Sequence, residues 1–150
     1  MNRIHDVFQH QKPVFITYLV CGDPDVTSTL KIMHSMVDHG VDLIELGIPF
    51  TDPIADGPVI QRGIERALKN KISLHDVLDL VSTFRKKNNK TPIVLMGYMN
   101  PIENVGYKLF AKTAKSKGVD GVLIVDLPPE EASLINKVFI SYNLNQIFLA

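Results

Sequence analysis

Hydrophobic positions along this chain switch between two periods. The runs VFITYLV (14–20), VDLIELG (41–47), PIVLMG (92–97), DGVLIVD (120–126) and QIFLA (146–150) are almost continuously apolar. That is the pattern of strands in a parallel sheet. Between them, apolar residues recur every three to four positions. Ile4, Val7 and Phe8 form one side of a short opening helix. Leu30, Met33, Met36 and Val37 form the stripe of a second, which Gly40 stops from the C′ position. Pro58 opens a helix running to about Asn70, and Ser73 with Asp76 predicts a capping box before a helix bearing Leu74, Val77, Leu78, Val81 and Phe84. Asn100-Pro101 starts a helical region that Gly106 interrupts and Gly118 ends. Residues 128–142 read as a helix with Glu130 and Glu131 in its first turn.

Strands and helices thus alternate, which requires a parallel sheet with right-handed crossovers. Two architectures compete, a doubly wound open sheet and a (β/α)8 barrel. No G-x-G-x-x-G follows the first strand; the turn there is CGDPD (21–25), which counts against the dinucleotide-binding sheet. Polar residues gather instead at the C-terminal ends of successive strands: Asp23, Glu45, Asp52, Asp56, Tyr98, Asn100 and Asp126. Barrel enzymes build their sites on that rim. The expected fold is α/β, a (β/α)8 TIM barrel. Residues 1–150 would supply its first four βα units and fifth strand, as the N-terminal portion of a single domain of about 250 residues.

Composition narrows the setting. Of 150 residues 45% are hydrophobic, ample for a core, and 16 basic residues balance 16 acidic ones. Zero formal charge argues against a nucleic-acid binder. The one cysteine, Cys21, excludes an internal disulfide framework and fits a reducing compartment. The N-terminus lacks a signal-peptide pattern, and no run reaches the ~18 apolar residues of a membrane span. A soluble, cytoplasmic protein is expected.

The candidate chemistry centres on residues 41–60. Leu43, Glu45 and Gly47 share one strand face, with Ile44 and Leu46 on the other. With helices on both faces Glu45 would have little water, and such a carboxyl shifts its pKa or finds a partner. A catalytic acid and an ordinary ion-pair member are both open. In the loop that follows, Asp56 could serve chemistry or cap the helix at Pro58, and Asp52-Pro53 suits a rigid turn. Asp23 reads as turn chemistry and Asp126 as a loop anchor. These carboxylates could converge on Mg²⁺, but the histidines at 5, 10, 34, 39 and 75 show no ligand spacing, and no metal site is expected. Cys21 reads as a small buried hydrophobe, and Arg85-Lys86-Lys87 as a solvated helix end matched to the dipole.

The run IELGIPFTDPIADGPVIQ (44–61), with CGDP (21–24), MGYMNPI (96–102) and VDLPPEE (125–131), resembles the tryptophan synthase α chain family. Matching elements run in order from Phe15 to Ala150. The resemblance implies a TIM barrel that cleaves indole-3-glycerol phosphate to indole and glyceraldehyde 3-phosphate by a retro-aldol reaction, as a step of tryptophan biosynthesis. It implies an αββα assembly in which the partner β chain carries PLP and the α chain carries no cofactor. Glu45 matches the family's acid/base glutamate and Asp56 the aspartate at the indole N–H. Tyr18, Met96 and Leu123 match positions lining the apolar slot for the ring, and Asp52 and Pro53 lie in the part of the loop that touches the β chain. Barrels grip a substrate phosphate with loops after strands seven and eight, outside these residues, so the chain alone is expected to be inactive. The alternative is a non-catalytic half-barrel module that docks on a partner chain. A barrel enzyme acting on another phosphorylated sugar is disfavoured by the particularity of the loop motif.

Overall fold

The computed structural model describes residues 3–9 and 12–149. Its elements are α1 (Arg3–Phe8), β1 (Ile16–Val20), α2 (Val26–Asp38), β2 (Leu43–Gly47), α3 (Pro58–Lys69), α4 (Leu74–Arg85), β3 (Ile93–Gly97), α5 (Met99–Val105), α6 (Tyr107–Lys117), β4 (Gly121–Ile124), α7 (Ser133–Ser141) and β5 (Asn145–Ile147). His10, and Ala150 in the expected last strand, lie outside the described residues.

The local signals act where the sequence places them. Ser73 and Asp76 form the reciprocal capping box of α4, and Gly57-Pro58 opens α3. Gly106, at φ +88°, separates α5 from α6 in a conformation that a side chain would resist. One start differs from expectation. Residues 128–132 precede the helix, and α7 begins at Ser133, so Glu130 and Glu131 lie in a turn closed by the Glu131 amide donating to the Pro128 carbonyl at 3.1 Å. Pro129 holds Pro128 away from the helical region, which delays the helix.

The strands pair in parallel in the order β1-β2-β3-β4-β5, with no reversal. A doubly wound sheet needs a switch point in its strand order; none is present among the described residues. Ile44, Leu46, Ile93, Leu95, Val122 and Ile124 face a core built with Met33 of α2, Ile64 of α3, Phe84 of α4, Phe110 of α6 and Phe139 of α7. The opposite face carries a smaller cluster of Leu43, Val94 and Leu123 with Ile4, Met96, Val125 and Ile147. Sequential order with helices outside is the barrel arrangement. It also corrects the expectation for β2: helices α2, α3, α4, α6 and α7 pack on the Ile44 and Leu46 face, and Glu45 belongs to the other, where Ile4 of α1 is the one helical residue in the cluster among the described residues.

A buried ionic cluster closes the end of the sheet opposite the rim. Asp120, 2% exposed, accepts from Arg85 Nη2 at 2.8 Å, from Arg3 Nη1 at 2.8 Å and from the Ile93 amide at 3.0 Å. Arg85 also donates to the carbonyls of Gly118 and Thr91, and burial pushes its pKa down to about 10. Arg85 is therefore not the solvated end of α4; Lys86 and Lys87 are exposed, as expected. Arg3 and Ile4 of α1 dock on this end, while Phe8 stays 55% exposed, so the opening helix buries less of its apolar side than expected. No helix among the described residues is long and apolar enough to cross a membrane.

Candidate active site

Strand register gathers the site. Tyr18 of β1 pairs with Glu45 of β2, Gly47 with Met96 of β3, and Met96 with Leu123 of β4. In-register neighbours of a parallel sheet point the same way, so Tyr18, Glu45, Met96 and Leu123 share the concave face. Gly47 stands in the same row, and a Cβ there would collide with the Tyr18 hydroxyl. The phenol thus lies over a position that only glycine leaves open.

Glu45 is half-buried, and burial alone raises its pKa. Among the described residues no hydrogen bond or ion pair engages its carboxyl. Tyr18 is raised far above the ordinary phenol range, first by burial and then by Asp56, Tyr98 and Glu45. Both carboxyls therefore act on the same phenol.

Asp56 reaches the site on the loop between β2 and α3. Gly57, not Asp56, is the N-cap of α3, and no side chain caps there. The Asp56 carboxylate instead accepts from Tyr98 at 2.7 Å, and the Ala55 amide donates to the same hydroxyl at 3.0 Å. Gln61 of α3 donates to the Asp56 carbonyl at 2.9 Å, and the Asp56 amide donates to the Pro53 carbonyl at 3.1 Å. Tyr98 is buried, its ring lies 5.4 Å from that of Phe50, and its hydroxyl is pushed up to about 12 by burial and by the bond to Asp56. Sequence reasoning placed Tyr98 on the rim without a role. Its position directly after β3 was the available signal, but its partner stands 42 residues away.

The remaining candidates separate. Asp52 is exposed and accepts from the Thr51 hydroxyl, with Pro53 beside it and Ile54 84% exposed, so the outer side of the loop is open. Asp126 accepts from the Met99 amide at the start of α5 at 2.8 Å, and Asp23 ties its turn to Arg66 of α3 through two hydrogen bonds. Cys21 is fully buried with its thiol pushed up to about 12, which leaves it inert. Among the described residues no group of three or more metal-ligating side chains converges. The concave face can therefore offer one carboxyl whose pKa burial raises, a second carboxyl in a fixed position, and an apolar floor.

Comparison with known proteins identifies the family of the chain. The tryptophan synthase alpha chain family matches residues 4–150. A tryptophan synthase alpha chain from Nitrosomonas europaea is 54% identical over 99% of this chain and 56% of its own length. The crystal structure of tryptophan synthase subunit alpha from Legionella pneumophila superposes with a TM-score of 0.98 at 47% identity, covering all of this chain and 59% of the other. The alpha chain in the crystal structure of a tryptophan synthase complex from Pyrococcus furiosus gives 0.87 at 45% identity over 91% of this chain and 56% of the other. The chain spans little more than half the length of these relatives. With matches of this identity across nearly every residue, the chain belongs to the tryptophan synthase alpha chain family.

Proposed function

We propose that these residues form the N-terminal portion of a single (β/α)8 domain, and that the complete barrel cleaves indole-3-glycerol phosphate to indole and glyceraldehyde 3-phosphate. Glu45 and Asp56 are its catalytic residues. The observation that carries the reading is a half-buried Glu45 on the concave face, with a raised pKa and no hydrogen bond or ion pair among the described residues, below a rim loop on which Tyr98 holds Asp56 at 2.7 Å.

The chemistry assigns each group a task. A proton from Glu45 adds to C3 of the indole ring, and Asp56 accepts a hydrogen bond from the ring N–H as positive charge develops there. The Glu45 carboxylate then takes the proton of the hydroxyl on the adjacent side-chain carbon. That carbon becomes the aldehyde, and the electrons of the breaking carbon–carbon bond return to the ring. Indole keeps the added proton, and Glu45 ends protonated as it began. A raised pKa suits a carboxyl that must donate first. Tyr18, Met96 and Leu123 form the slot for the ring.

The outer side of the loop, with Asp52 and Ile54 exposed and Pro53 half-buried between them, is the surface for the β chain of an αββα complex. PLP belongs to that partner; this chain uses no cofactor, and its setting is the cytoplasm. The test joins residues 1–150 to the C-terminal remainder of the Legionella pneumophila relative and measures indole release. Release of indole is expected; a folded chimera that binds a β chain yet releases none would favour the docking-module reading.

A further inference from the structure

We propose that Tyr98 is a positioning residue for Asp56, fixing one carboxylate oxygen so that the other is left for the ring N–H; this rests on the lyase reading. The Tyr98 hydroxyl has one proton. The Ala55 amide, 3.0 Å away, is itself a donor and occupies the acceptor side of the hydroxyl, so that proton goes to Asp56 Oδ2 at 2.7 Å. Among the described residues no hydrogen bond reaches Oδ1 of Asp56. One oxygen is held and its neighbour is open.

The tyrosine is itself anchored. It is the N-cap of α5, at the end of β3, and the next amide, Met99, is held by Asp126 beyond β4. Its ring packs on Phe50 at the start of the same loop, so contacts at 50, 55 and 56 all converge on one side chain. The loop after β2 is thereby referenced to the ends of β3 and β4, rigid parts of the sheet. A carboxylate on a loop without that reference would lose alignment, and a misplacement of about 1 Å can cost ~10²-fold in rate.

Tyr98→Phe keeps the ring and removes only the hydroxyl. In the chimera it should lower kcat ~10–100-fold and change KM less than about threefold. Combined with Asp56→Asn it should cost little more than Asp56→Asn alone, because Tyr98 acts through that carboxylate. A merely structural tyrosine would cost the same in both backgrounds, and that result would overturn the proposal. In the 150-residue chain, Tyr98→Phe should speed hydrogen exchange of the Ala55 amide about tenfold; unchanged exchange would equally overturn it. Indole release by the unsubstituted chimera tests the lyase reading separately, and the exchange experiment tests the Tyr98 anchor on the loop whether or not indole appears.

Discussion

Burial lifts the Glu45 pKa because no cation or donor among the described residues stabilises its charged form. The consequence for stability has a definite sign. A carboxyl whose folded pKa lies above its unfolded value binds more protons folded than unfolded in the interval between the two. Stability contributed by this group is therefore present at acid pH and is lost as pH rises through that interval, from the ordinary 4.5 upward. Glu45→Gln removes the effect. Urea unfolding from pH 4 to 8 should show the substituted protein gaining on the wild type as pH rises; a constant difference would mean that Glu45 titrates like an exposed carboxyl. Glu45 was legible in the sequence because a strand rarely spends an inward position on a carboxylate. The absence of a partner for it among the described residues was not, since that depends on how distant elements pack. Asp56 likewise announced itself through the loop motif, while its choice of Tyr98 over the α3 terminus depended on a contact across 42 positions.

At the scale of elements, helix ends and strand order followed from local chemistry: capping box, prolines, glycines, and apolar runs too short for helices. Departures came where a distant partner or a proline pair intervened. Pro128-Pro129 postponed α7, and the last residue of α4 turned inward because Asp120 waits at the head of β4, 35 residues on. Arg85, 8% exposed, ties three elements through that carboxylate and two carbonyls. Removing one partner of a buried pair costs ~3–5 kcal/mol when the charge left behind is uncompensated; Arg3 still faces Asp120, so the loss here should be smaller, about 2 kcal/mol. Arg85→Ala should show that loss in urea unfolding, against less than about 0.5 kcal/mol for Lys86→Ala on the exposed side. Equal effects at the two positions would mean that the Arg85–Asp120 cluster adds nothing to the fold.

On the scale of the whole molecule, the architecture was readable and its openness is the main consequence. Helices cover the outer face of the sheet, but β1 and β5 are both edges among the described strands, and Phe15 just before β1 and Ile16 at its start are 56% and 42% exposed. On β5 both side-chain polar atoms of Gln146 are buried without a partner. Apolar strand edges pair readily with other chains, so the 150-residue chain should sediment as species larger than its 16.8 kDa monomer. A monodisperse monomer would contradict that expectation. The site itself is less exposed to this hazard, because the Glu45, Asp56 and Tyr98 geometry is complete within the first three strands and their loops. The most direct test of the central claim is therefore the kcat of indole release by the chimera carrying Glu45→Gln. Loss of the titratable proton should lower it by the ~10²–10⁴-fold typical of acid/base catalysis, with KM little changed; retention of more than half the wild-type kcat would contradict the assignment of Glu45.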